Sequence, residues 1–86
     1  MRLDKFLKVS RLIKRRSLAN DACDATRVSV NGKPAKASYN VKLGDLITIV
    51  FGSKSVTVKV LEIKETTKKT ESIGMYEIVN ESDIQS

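Results

Sequence analysis

The chain has 86 residues, with 16 Lys or Arg against 10 Asp or Glu, a formal charge of +6, one Cys, no His and no Trp. A chain this short makes one small domain that buries only about 60–65% of the surface it would expose unfolded, so no separate catalytic domain is expected beside it. Without His there is no imidazole base, no Ser-His-Asp triad and no His ligand, and the lone Cys23 can form neither an intramolecular disulfide nor a thiolate zinc site. No catalytic residue, no metal site and no cofactor is therefore expected, and the protein is read as something other than an enzyme.

Arg2, Lys5, Lys8 and Arg11 interrupt the first dozen residues, so no signal segment or membrane span is read there and no membrane partner is expected. A cytoplasmic location follows, in which an unpaired thiol such as Cys23 is ordinary core packing. Residues 1–16 hold Arg2, Lys5, Lys8, Arg11, Lys14, Arg15 and Arg16 against Asp4 alone, whereas residues 17–86 hold nine basic and nine acidic side chains. The whole net charge thus sits in the first fifth of the chain, where a polyanion is its natural occupant. A merely solvated helix face would mix signs for i,i+4 pairing, and this one scarcely does.

In chain order, Leu3, Phe6 and Leu7 at i, i+3, i+4 predict a helix near 2–9 that turns Arg2, Lys5 and Lys8 away from its apolar stripe. Asp4 in its first turn either complements the helix dipole or orients Arg2 or a neighbouring base. Leu18, Ala19, Ala22, Cys23 and Ala25 predict a second helix over about 15–25. Lys14, Arg15 and Arg16 crowd its start, which is the wrong sign for the dipole but the right sign for phosphate at free backbone N–H groups. From Val28 the period is two, and Asn31-Gly32 is a tight-turn signal. Pro34 breaks the next stretch, Leu43-Gly44-Asp45 is a turn, and Leu46 to Phe51 is a β-rich run reversed by Gly52-Ser53-Lys54. Val56, Val58 and Val60 begin a half-buried strand that runs on through Leu61 and Ile63. Thr66 to Glu71 reads as a mobile loop, Met75 to Val79 as a last strand pairing with 56–63, and Asn80 to Ser86 as a weakly held tail. The fold class is α+β: two short N-terminal helices packed on a small, mostly antiparallel sheet of four to five strands.

Arg2-Leu3-Asp4 with Leu7, the basic start of the second helix, Val28-Ser29-Val30-Asn31-Gly32 and the Gly44-Asp45 turn stand in an order that resembles the RNA-binding domain named after ribosomal small-subunit protein four, the alpha-L motif. The likeness covers residues 1–52, leaving 53–86 as a C-terminal β extension and short tail of the same compact domain. The opening Met1-Arg2-Leu3-Asp4-Lys5-Phe6-Leu7 and the later Thr66-Thr67-Lys68-Lys69 are similar to the branch of small bacterial factors of ribosome-associated quality control and their heat-shock relatives. That resemblance implies binding to large-subunit rRNA and to tRNA on obstructed large subunits. It also implies support for an RqcH-like quality-control factor during C-terminal alanine tailing of stalled chains, or else a heat-shock-type rescue role or a place as a ribosomal protein. It places the RNA-facing residues on Arg2, Asp4 and Lys5, on Lys14, Arg15 and Arg16, and on Arg11 between them, with Lys8 adding attraction. The chain is expected to be a monomer off the ribosome. One departure stands out: where many members have Gly, this chain has Thr26, a poor occupant of a left-handed helix end, so the end of helix two is expected to shift.

Arg2 and Arg16 are the sharpest candidates, since a guanidinium can bind phosphate at two points and stack on an unpaired base. Phe6 and Phe51 are read as core, and Tyr39 as the one aromatic to test at an RNA surface. A DNA-binding helix-turn-helix is disfavoured by Asp21 and Asp24 on the second helix, where they would repel the phosphates flanking a groove. A protein-interaction module using the edge of the 46–63 ribbon is the remaining alternative.

Overall fold

The computed structural model describes residues 1–63 and 73–83. Two short helices, α1 (Leu3–Val9) and α2 (Arg16–Asp24), precede five strands: β1 (Val28–Val30), β2 (Lys33–Pro34), β3 (Leu46–Phe51), β4 (Lys54–Val60) and β5 (Tyr76–Asp83), the last entered by a 3-10 turn at Ile73–Met75. The strands form one antiparallel sheet in the order β2-β1-β3-β4-β5. The apolar stripe of α1 supplies Leu3, Phe6 and Leu7, all fully buried, and α2 adds Ala19 and Cys23. These meet the inward residues of the sheet, Val28, Ile47, Ile49, Val58 and Val60, and Met75 from beyond the ribbon closes the same cluster. Period-three-to-four apolar spacing on the helices and period-two spacing on the strands thus face each other across one core.

Several boundaries differ from the sequence reading. Thr26 does adopt the left-handed conformation, at φ 57°, so helix two ends where a Gly would end it. The Thr26 and Arg27 N–H groups close that end on the carbonyls of Cys23 (3.0 Å) and Ala22 (2.9 Å), and these bonds offset the discomfort of a β-branched residue there. Pro34 does not prevent pairing: it sits opposite Ser29 in a two-residue strand at the sheet edge, where its missing N–H costs nothing. β4 stops at Val60, because the N–H groups of Leu61 and Glu62 both turn to the Met75 carbonyl, at 2.8 and 3.2 Å. Met75 accordingly lies in the 3-10 turn, before the strand. β5 does not loosen at Asn80 but pairs through Asp83, since an irregularity opposite Thr57/Val58 absorbs one residue and restores register. Phe51 shares the inward parity of Ile47 and Ile49, yet as the last residue before the turn at Gly52 it outruns the core and is 44% exposed. The Thr66 to Glu71 loop lies outside the described residues.

Candidate nucleic-acid interface

The site grows out of how the chain's first residues are held. The Leu3 N–H donates to the Tyr39 carbonyl (2.8 Å), the Asp4 N–H to the Ala37 carbonyl (3.2 Å) and the Val41 N–H to the Met1 carbonyl (2.8 Å). The terminal ammonium donates to Asn40 Oδ1 at 2.8 Å. Segment 37–41 therefore clamps the entry to α1 and satisfies N–H groups that a helix start leaves unpaired. Helix α2 is different. Its N-cap, Arg15, makes no side-chain cap, and its first turn contains no acidic residue.

Between the two helix starts lies Asp4, only 2% exposed. Its carboxylate accepts from Arg2 Nε at 3.2 Å and Nη2 at 3.4 Å, from Arg16 Nε at 3.3 Å and from the Lys5 N–H at 2.8 Å. Burial pushes its pKa up, but the hydrogen bonds from Arg2, Arg16 and the Lys5 N–H, with the charge of Arg16, pull it below the ordinary carboxylate value of 3.8. Of the two readings of Asp4, the positioning carboxylate is the one these partners support. The guanidiniums it holds remain half open to solvent, with side-chain exposures of 51% for Arg2 and 48% for Arg16. A carboxylate that engages each guanidinium chiefly through Nε leaves further N–H donors facing outward, preset for a phosphate oxygen.

The other predicted cations are placed less closely. Lys5 follows Asp4 on α1 and is partly buried, and Lys8 is exposed in the last turn, where its charge also suits the helix dipole. Arg11 is exposed in a left-handed backbone conformation, φ 64°, in the connection between the helices. Lys14 and Arg15 are exposed immediately before α2. Among the described residues, Arg2 and Arg16 are the pair brought together on Asp4, while Lys8, Arg11, Lys14 and Arg15 are exposed on the same two helices and the connection between them.

Sequence reasoning missed the second organising carboxylate. Asp45, 8% exposed, accepts from the Tyr39 hydroxyl (2.9 Å), the Lys42 N–H (2.9 Å) and the Asn31 amide (3.1 Å). Asn31 Oδ1 in turn accepts from the Leu46 N–H at 3.0 Å. The signal available was the pair of turn signatures, Asn31-Gly32 and Gly44-Asp45, which this bond joins across β1 and β3. Tyr39 thereby props the turn through its hydroxyl, whose pKa is raised by the bond to Asp45, while its ring stays partly exposed. Cys23 is buried, and burial together with the nearby charges of Asp4 and Asp24 pushes its thiol up to about 11, which makes it inert. Among the described residues there is no group of side chains able to hold a metal ion, and no helix is long and apolar enough to cross a membrane.

Comparison with known proteins places this arrangement. The S4 domain profile matches residues 1–47. A Bacillus subtilis (strain 168) protein named RQC P-site tRNA stabilizing factor is 60% identical over 84 residues, 98% of each chain. Its namesake from Streptococcus pneumoniae is 52% identical over 85 residues, 99% of this chain and 97% of that one. Among solved structures, the trimeric Vibrio cholerae Heat Shock Protein 15 superposes with a TM-score of 0.86 at 32% identity, covering 92% of this chain and 81% of its own.

Proposed function

As the chain belongs to the S4 domain family, and within it to the group of the RQC P-site tRNA stabilizing factors, we propose that it is a non-catalytic RNA-binding factor of the ribosome. It holds tRNA on an obstructed large subunit by gripping rRNA and tRNA together, and so supports C-terminal alanine tailing of the stalled chain by an RqcH-like factor in the cytoplasm. The observation that carries this reading is the convergence of Arg2 and Arg16, both half exposed, on the buried carboxylate of Asp4. A preset pair of guanidiniums binds phosphate with less ordering cost than free side chains, and Lys14, Arg15, Arg11 and Lys8 add longer-range attraction. Asp21 and Asp24, both exposed on α2, speak against a helix laid in a DNA groove.

Co-sedimentation of the protein with large subunits, with and without bound peptidyl-tRNA, tests the proposal. Preferential binding to the tRNA-bearing particle, with an RqcH-like factor recovered from cells alongside it, is the expected result. Equal binding to duplex DNA at matched salt would overturn it. The likeness to Heat Shock Protein 15 favours a rescue role as the second reading, which recovery of tRNA-bearing subunits without an RqcH-like factor would support. Off the ribosome the chain is proposed to be a monomer, for which sedimentation at one chain mass is the expected result, and a trimer, the state named for the Vibrio cholerae relative, would contradict it.

A further inference from the structure

We propose, resting on the RNA-binding reading above, that the cationic face continues from Arg2 into a trough along residues 34–38, where Lys36 and Lys33 grip a single-stranded stretch of the same RNA. Two open grooves border that segment. One, of about 550 Å³, has Arg2, Asn20 and Asp24 on its walls, and the other, of about 660 Å³, has Asn31, Lys33 and Tyr39. They share Pro34, Ala35, Lys36 and Ser38, so both open onto the same segment, one on the side that carries Arg2 and the other on the side that carries Lys33. The depression exists because the shared wall is built of small side chains. Ala35 and Ser38 put almost nothing into it, and Ala37 is turned into the core.

Position and charge select the occupant. The Ala37 and Tyr39 carbonyls accept from the Asp4 and Leu3 N–H groups, so this segment is fixed by backbone bonds to the turn of α1 that carries Arg2 and Asp4. The trough is therefore a rigid continuation of the Arg2 and Arg16 face. Its walls offer Arg2, Lys36 and Lys33 against a single carboxylate, Asp24. Lys33 and Lys36 are exposed and have no ion-pair partner among the described residues. An unpaired strand leaving a phosphate at Arg2 would lay its backbone past these ammoniums and set a base against Ala35, on the groove that the half-buried Asn20 also lines. The balanced charge of residues 17–86 hid these two lysines, because among the described residues Asp24 is the one carboxylate that lines either groove.

The test measures binding of the full chain to peptidyl-tRNA-bearing large subunits across a salt series. Lys33→Ala with Lys36→Ala is expected to make the slope of log K against log salt less negative by about 1.4–1.8, two phosphate contacts at roughly 0.7–0.9 each, and to weaken binding roughly tenfold. Ser38→Glu, placing a carboxylate at an exposed position shared by both grooves, is expected to weaken binding without changing the melt. An unchanged slope for the lysine pair overturns the trough. Arg16→Ala in parallel separates the two levels of the argument: lost binding there with an unchanged lysine pair removes the trough alone, and unchanged binding there removes the RNA reading itself. A photo-crosslinker at Ser38 is expected to capture RNA, and capture of protein alone would overturn the proposal in favour of a peptide-binding groove.

Discussion

Asp4 and Asp45 are both buried carboxylates held below their ordinary pKa, yet they serve opposite ends. Burial opposes ionisation at Asp45 too, and bonds from the Lys42 N–H, Tyr39 and Asn31, with the charge of Lys42, overcome it. Those direct partners are neutral and belong to the turn itself, so the bond energy is spent on fixing the backbone between β1 and β3. The partners of Asp4 are two guanidiniums from different helices, half in solvent, so its bonds fix the direction of side chains that face outward. A buried acid surrounded by neutral donors marks architecture, whereas a buried acid that anchors exposed cations marks a surface prepared for an anion.

The contrast can be broken at either acid. Asp45→Ala orphans the Lys42 N–H, the Tyr39 hydroxyl and the Asn31 amide together, and is expected to cost about 2–4 kcal/mol in chemical denaturation. The fraction that remains folded should bind large subunits at most a few-fold more weakly, through the Asn31 and Tyr39 that Asp45 holds, and a loss as large as that of Arg2→Ala with Arg16→Ala would refute the contrast. Next in size, Arg2→Ala with Arg16→Ala is expected to weaken subunit binding roughly 100-fold, two charged contacts at about 1.5 kcal/mol each. Exposed cations would ordinarily leave the melt untouched. Here their removal strands Asp4 on the Lys5 N–H, and about 1–2 kcal/mol of stability should go too, less than the about 3–5 typical of a fully buried broken pair because both guanidiniums are half exposed. Adding Asp4→Asn should return that stability and none of the binding, and return of both would refute the division of labour.

Smaller effects sharpen the same division. Arg15→Ala or Lys14→Ala should each make the salt slope less negative by about 0.7–0.9 and weaken binding only a few-fold, read by fluorescence anisotropy over a salt series. The smallest expected change is in acid. Because both aspartates are depressed when folded, each stabilises the fold above its unfolded value near 3.8, and the contribution disappears as pH falls through the lower folded value. Stability should therefore be flat at neutral pH and fall only below about pH 4, with a shallower fall for Asp4→Asn.

Much of this was legible in the residues. Leu3, Phe6 and Leu7 declared α1, the valines and isoleucines of β1, β3 and β4 declared the sheet, and the one-sided charge of residues 1–16 declared the cationic face proposed for RNA. What escaped was set by tertiary contact. Nothing local says that the Met75 carbonyl will capture Leu61 and Glu62, that a bulge will carry β5 to Asp83, or that Phe51 will overhang the core. Thr26 was misjudged because propensity alone was weighed against the bonds that hold it in place. At the site, spacing picked out Arg2, Asp4 and Arg16, but only the folded chain brings Arg16 to Asp4 across 12 residues and puts Lys36 on the same groove as Arg2.

The most direct measurement is the affinity of Asp4→Asn for tRNA-bearing large subunits at matched salt, with the melt recorded alongside. This substitution raises the net charge by one while releasing Arg2 and Arg16 from their anchor. If orientation of the guanidiniums makes the interface, binding weakens about tenfold despite the added positive charge and a retained fold. If binding instead tightens, as a count of charges alone demands, Asp4 has no positioning role and the account is wrong.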